Sequence, residues 1–313
     1  MDLPGSPTPS APMCRSLAES PALPEIPILS GLNEIAHRYD GYILDLWGVL
    51  HDGQAPFPGV IDCLTRLKAD GKRLVILSNA PRRARLVEER VAEIGIPRTL
   101  YDHLLSSGEE VWQHLKKRDD PFYAALGRVC YHIGPPRDDN MLADLGLRRV
   151  ESVGDAEFIL NTGPWGWNET VENYEAVLQG GRVKDLPMVC ANPDLVVMHR
   201  GSRVICAGAL AQRYEAIGGR VRWHGKPYPS VYDTCFGLLD VPDRGRILAV
   251  GDSLRTDIAG ANGVGVASLL IIGGIHGEEL GAAPGALPDP GRLAAAVAES
   301  SHRPTYAMAH LTW

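Results

Sequence analysis

The chain has 313 residues and no apolar run near the roughly 18 residues that a membrane span needs, so no membrane partner is expected. It has no basic excess either. Lys and Arg number 31 against 38 Asp and Glu, a formal charge of −7, which argues against a nucleic-acid partner. The six cysteines are scattered and form no C-x-x-C pair. At this length that pattern points to reduced thiols in a cytoplasmic protein rather than to a disulfide framework. No H-E-x-x-H is present, Gly225-Lys226 runs into Pro227 instead of the Ser or Thr of a phosphate-binding loop, and "GVGVAS" lacks the last glycine of a dinucleotide fingerprint. The first 27 residues are rich in Pro, Ser and Ala and lack the basic start and apolar stretch of a secretory signal, so residues 1–27 read as a disordered tail.

From residue 41 short apolar runs alternate with amphipathic segments. "GYILDLW" is a strand. "PGVIDCLTRLKADG" is a helix, with Val60, Ile61, Leu64 and Leu67 at helical spacing between Pro58 and Gly71. "RLVILSN" is a second buried strand and "PRRARLVEERVAEIG" a second helix. In "SSGEEVWQHLKKR", Ser106 and Glu109 have capping-box spacing. "GRVCYHIG", "AEFILNTG" and "LPMVCANPD" follow as strands. After them come a helix in "VICAGALAQRYEAIGG", the strand "VRWHG", a helix from Ser230, the strands "RILAVGDS" and "VASLLIIGG", and a last strand in "PTYAMAHL". This order predicts an α/β fold, with a doubly wound, Rossmann-like parallel sheet.

Ligands of such sheets bind beyond the carboxyl ends of the strands. Asp45 ends the first strand, Ser78 and Asn79 the second, Lys226 follows "VRWHG", and Asp252 follows "RILAV". Each alone reads most simply as a turn or cap residue. Together they suggest one rim on which acids, a hydroxyl and a lysine converge. A phosphate ester repels an anionic nucleophile, so such a rim needs positive charge before a carboxylate can attack. Asp45 and Asp252 have the chemistry to hold Mg²⁺, and Asp257, one helical turn on, to ligate it directly or through water.

In this order the segments "ILDLWGVL", "VILSN", "GKP" and "GDSLRTD" resemble the four signatures of the haloacid dehalogenase-like superfamily of aspartate-nucleophile hydrolases. "GDSLRTDIAGANGVG", "ANPD" and "HGKPYP" look like its class IIA branch of small-molecule phosphatases. The resemblance implies a core domain of residues 28–125 and 204–313, and an inserted α/β cap of the C2 type at 126–203. It also implies a small phosphorylated metabolite as substrate and a cap that often mediates homodimers. Asp45 would be the nucleophile, Lys226 the neutralising cation, and Ser78 and the Asn79 N–H the binders of a transferring oxygen. Asn192 and Asp194 of the "ANPD" loop would face the substrate. Asp45, Asp252, Asp257 and the carbonyl of residue 47 would hold Mg²⁺.

One position departs from the pattern. Phosphatases of this superfamily carry a second Asp two residues after the nucleophile, as general acid and base. Here Trp47 stands there, and an indole N–H has no useful acidity near pH 7. Loss of such a group costs on the order of 10²- to 10⁴-fold in rate. His51, Asp52, His132, His199 and Asp194 are candidate replacements, with Asp52 first because it lies on the flap after the nucleophile. Trp47 and Trp165 are candidates for stacking on a planar substrate. Two further readings remain open: a protein that binds a phosphometabolite without hydrolysing it, and a hydrolase of C–halogen or C–P bonds, the latter with Lys184 as a Schiff-base candidate.

Overall fold

The computed structural model describes residues 25–118, 120–199, 202–273 and 289–313. The expected tail at 1–27 lies outside the described residues except for its last three. In chain order the strands are β1 (Ile28–Leu29), β2 (Gly41–Leu44), β3 (Arg73–Ser78), β4 (His103–Ser106), β5 (Val129–Ile133), β6 (Arg148–Val150) and β7 (Phe158–Asn161). They continue as β8 (Pro187–Cys190), β9 (Val196–His199), β10 (Ser202–Ile205), β11 (Arg220–Trp223), β12 (Ile247–Gly251), β13 (Ala267–Ile271) and β14 (Tyr306–Met308).

Seven strands form a parallel core sheet in the order β1-β14-β13-β12-β2-β3-β4. All four residues of β2 are buried, as are Leu74 to Ser78 of β3, because helices cover both faces. Helix Val60–Ala69 buries Val60, Cys63, Leu64 and Leu67, the predicted stripe apart from Ile61, which is exposed. Helix Ala84–Ile94 stops at Gly95 in a left-handed conformation. From β2 the chain winds outward one way to β3 and β4, then returns through β12 to β14 on the other side. The β2/β12 boundary is therefore the switch point of the sheet.

A second parallel sheet, β11-β8-β7-β5-β6, is inserted between β4 and β12 and has its own apolar core around Tyr174, Leu178, Met188, Leu210 and Tyr214. This is the expected core sheet with an inserted α/β cap sheet. The boundary expected at residue 203 falls short. Helix Ala207–Ala216 packs in the second core and β11 pairs with β8, so the second sheet extends to Trp223. "VRWHG" looked like a core strand because apolar alternation carries no record of which sheet a strand joins. Strand β4 and the antiparallel β9–β10 hairpin were also not anticipated, and the first residues of "VICAG" are strand rather than helix. Ser106 does cap helix Ser107–Lys117, accepting from the Glu109 N–H at 3.1 Å. Glu109 does not complete the box; its carboxylate takes Arg83 at 2.7 Å and the Ala84 N–H at 3.1 Å.

Among the described residues no helix is long and apolar enough to cross a membrane. The five described cysteines are free and buried.

Candidate active site

Asp45 follows β2 directly, and its N–H continues the ladder to the Val250 carbonyl at 2.8 Å. Asp252 follows the neighbouring strand β12, and Ser78 ends β3 on the other side. Adjacent strands lie about 4.8 Å apart, so the sheet itself brings these three side chains together. Asp257 comes from the turn after Asp252. That turn is widened: the Ile258 N–H reaches back five residues to the Ser253 carbonyl, and the Ser253 hydroxyl caps the Thr256 N–H. Gly251 leaves room for the Asp257 carboxylate, which would lie 2.0 Å from any Cβ there.

Lys226 reaches this rim from the other direction, in the loop between β11 and helix Pro229–Leu239. Its ammonium donates to Asp45 Oδ1 at 2.5 Å and to Asp257 Oδ1 at 2.7 Å, with all three side chains largely buried. Asn79 pins the loop: its Oδ1 accepts from the Lys226 N–H at 2.8 Å, and its Nδ2 donates to the Lys226 carbonyl at 3.2 Å. Gly225, with φ +87°, lets the loop approach, since a Cβ there would stand 2.6 Å from Asn79 Oδ1.

The electrostatics are lopsided. Burial, reinforced by the charge on Asp257 and opposed by Lys226, pushes the Asp45 carboxyl up to about 7. Burial acts to lower the Lys226 pKa, but Asp257 and Asp45 outweigh it and hold the ammonium firmly charged. Asp45, Asp252 and Asp257 offer carboxylate oxygens within 4.8 Å of one another, against one ammonium. With all three carboxyls ionised, they and one lysine carry about two net negative charges in a buried pocket, a state that a divalent cation would balance and favour. Gly48 makes room on the same side: its φ is +81°, and a Cβ there would lie 2.0 Å from Asp252 Oδ2. The residues therefore fit a hard divalent ion held by oxygen.

Two family profiles match the chain, haloacid dehalogenase-like hydrolase over residues 42–148 and HAD-hydrolase-like over 223–312. A crystal structure of a haloacid dehalogenase-like hydrolase from Brucella suis 1330 superposes with a TM-score of 0.77 at 30% identity, covering 91% of this chain and all of that one. The chain belongs to the haloacid dehalogenase-like hydrolases. It is 28% identical to the D-glycerol 3-phosphate phosphatase of Mycobacterium tuberculosis over 249 residues, 78% of this chain and 66% of the relative. It is also 28% identical to chronophin of Bos taurus over 262 residues, 80% of this chain and 86% of the relative. The hydrolase is of the phosphatase kind.

Beside this rim the hydrolase has a cavity of about 270 Å³ between the two sheets. Trp47, His51 and Ser78 line it from the core, and Asp138, Thr162 and Asn192 from the inserted unit. The Trp47 indole is 42% exposed, stands edge-on to His51 with ring centroids 5.5 Å apart, and lies against Gly53.

The flap corrects one expectation. Asp52 is exposed, and its Oδ1 accepts from the Gln54 and Ala55 N–H groups at 2.8 and 2.9 Å. Those bonds hold its pKa below the ordinary carboxylate value. It is a turn residue and does not line the cavity. His51 does. Its Nδ1 accepts from the Gly53 N–H at 2.8 Å, so Nε2 carries the ring proton, and burial lowers its pKa to about 4. Asp194 is likewise not among the cavity-lining residues. Its Oδ1 accepts from Asn79 Nδ2 at 2.9 Å, and burial raises its pKa. The "ANPD" loop thus rests Asp194 on the core, while Asn192 faces the cavity and accepts from the Asp194 N–H. His132 is not a lining residue; it stands behind the cavity wall, its Nε2 2.9 Å from the hydroxyl of the lining residue Thr162. Lys184, the Schiff-base candidate, donates to the Gly154 and Ala156 carbonyls and does not reach the cavity, so C–P cleavage gains no residue here.

The sequence reading missed Arg82 and Asp138. Arg82 Nε donates to Asp138 Oδ1 at 3.1 Å and joins core to cap beside the cavity. The position of Arg82 just past the end of β3 is a signal that points to it. Asp138 sits in a short 3-10 helix, Pro136–Leu142, whose polar opening residues give no apolar periodicity to mark it.

Proposed function

We propose that the hydrolase cleaves small phosphate monoesters by transferring the phosphoryl group to Asp45, with Mg²⁺ as its metal and no carboxylic acid at position 47. The observation that carries the reading is Lys226 between Asp45 and Asp257 at 2.5 and 2.7 Å, with Asp252 alongside. Relatives of this chain are phosphatases of glycerol 3-phosphate and 4-nitrophenyl phosphate, and a ribonucleotide monophosphatase. A small phosphorylated metabolite therefore supports the same reading. The buried, unpaired thiols suit a cytoplasmic setting.

Mg²⁺, held by Asp45, Asp252, Asp257 and the Trp47 carbonyl, would supply charge against the phosphoryl oxygens. The Lys226 ammonium neutralises Asp45 and a second phosphoryl oxygen. The Ser78 hydroxyl and the Asn79 N–H bind a third. Asp45 attacks phosphorus, the P–O bond to the leaving group breaks with its electron pair, and an aspartyl-phosphate forms. Water then cleaves that intermediate to inorganic phosphate and restores Asp45.

Trp47 offers the leaving oxygen no proton. His51 takes over part of that role as a hydrogen-bond donor through Nε2, neutral at pH 7 and weaker than a carboxylic acid. Leaving groups that are stable as anions, such as nitrophenolate, are then favoured over alkoxides. The deciding assay compares nitrophenyl phosphate with alkyl phosphates in Mg²⁺ and in EDTA. Turnover lost in EDTA and in Asp45→Asn supports the proposal; equal turnover by Asp45→Asn removes it.

The exposed indole at the cavity favours a second reading, in which the site binds a phosphometabolite without hydrolysing it. Calorimetry showing tight, Mg²⁺-dependent binding with no phosphate released would choose that reading.

A further inference from the structure

The hydrolase has a second cluster of metal-ligating side chains, made of nitrogen as well as oxygen. Glu110 and His114 are four residues apart on helix Ser107–Lys117, so they share a face. His224 stands just past β11, where the chain leaves the inserted unit two residues before Lys226. One ligand atom from each of the three lies within 4.8 Å of the others. Glu110 and His224 are 4% and 2% exposed.

The arrangement has the supporting contacts of a ligand set. Glu110 Oε1 accepts from the Ser230 hydroxyl at 2.6 Å and Oε2 from the Gly225 N–H at 3.1 Å, which fixes the carboxylate and leaves lone pairs available. His224 Nε2 meets the Tyr123 hydroxyl at 2.5 Å, and Tyr123 also stacks on His114 at 5.1 Å. A metal-binding imidazole anchors its remote nitrogen in this way. The near nitrogen, His224 Nδ1, is buried 3.2 Å from Glu110 Oε2 and has no hydrogen-bond partner. Two ligands of one tetrahedral zinc ion, each about 2.0–2.1 Å from the metal, lie about 3.3–3.4 Å apart and off each other's lone-pair axes. The 3.2 Å separation matches that edge. A cavity of about 100 Å³ reaches two of the three side chains, Glu110 and His114, from the Lys117 and Thr234 side, while His224 lies behind them and does not line it.

We propose that Glu110, His114 and His224 form a zinc site that clamps helix Ser107–Lys117 to the segment leading into Lys226. Two imidazoles and a carboxylate are a donor set zinc takes readily, whereas the all-oxygen set at Asp45 suits Mg²⁺. The inference stands apart from the proposed phosphatase chemistry.

The test uses the full chain, stripped with EDTA and then given Zn²⁺ in excess Mg²⁺. After desalting, metal analysis is expected to find one zinc per chain. The partly exposed His114 tolerates replacement, so His114→Ala is the first variant; it should bind zinc at least tenfold more weakly and lose the rise in Tm that zinc gives the parent chain. His224→Gln should do the same. Asp252→Asn should keep its zinc. Zinc absent from the parent chain in Mg²⁺, retained equally by His114→Ala, or lost only in Asp252→Asn would each overturn the site. Those outcomes would leave a buried Glu110–His224 contact that holds no metal.

Discussion

Lys226→Met removes the ammonium that bridges two buried carboxylates, Asp45 and Asp257. The lysine contacts Asp45 at 2.5 Å and Asp257 at 2.7 Å, and its side chain is 4% exposed. Methionine fills a similar volume but takes the ammonium away from Asp45 and Asp257. Breaking a buried pair by deleting one partner costs about 3–5 kcal/mol, because the surviving charge stays buried. For a chain of this size, at about 2–3 °C per kcal/mol, that is a fall in Tm of roughly 6 to 15 °C. The carboxyl of Asp45 already sits near 7 with the lysine present, so the variant should relieve part of the repulsion by binding a proton. Its loss of stability should therefore be larger at pH 8 than at pH 6. If a divalent ion belongs among these acids, Mg²⁺ should raise the Tm of Lys226→Met by more than that of the parent chain, since it binds a more negative site. Thermal melts of both proteins in EDTA and in Mg²⁺, at the two pH values, provide the check. A variant that melts within a degree of the parent in EDTA, or a Mg²⁺ shift equal in both, would refute the charge argument.

Trp47→Asp should raise kcat on alkyl phosphates by on the order of 10²-fold or more and flatten the dependence of rate on leaving-group pKa; a variant no faster than the parent on every ester argues against the missing-acid account. Gly48→Ala puts a Cβ 2.0 Å from Asp252 Oδ2 at a φ of +81°, and should weaken Mg²⁺ activation at least tenfold by titration of activity against metal. Acid should destabilise the fold through His132. Unfolded, this histidine takes up its proton near 6.5, while burial holds the folded value at about 4, so between these values the unfolded state binds more protons. Stability should fall as pH drops from 6.5 toward 4, by up to about 3 kcal/mol, and His132→Asn should show a shallower fall in denaturant titrations.

Much of the site was readable because its signals are local. A buried strand that ends in Asp45, a second that ends in Ser78, and a third followed by Asp252 are short patterns, and the parallel α/β order sets all three at one end of a sheet. Lys226 was also readable from its segment, but the strand before it was assigned to the wrong sheet. That assignment depends on β8, some thirty residues earlier in the chain, and no short-range periodicity carries it. On the flap, Asp52 and His51 are neighbours of equal promise as letters. The turn decides between them: Asp52 caps the N–H groups of Gln54 and Ala55 and faces out, while His51 accepts from Gly53 and faces the cavity.

The residues alone determined the fold class, the family, the acids at the strand ends and the absence of a carboxyl at position 47, because each rests on residue type and on spacing within a few turns or strands. Only the tertiary structure decided that the last strand before Lys226 belongs to the cap, that Asn79 and Asp194 brace the loops, and that His51 faces the cavity. It alone set Glu110, His114 and His224 side by side. Those outcomes depend on contacts between segments up to about 150 residues apart, and such contacts follow from how the two cores pack and leave no mark in local sequence.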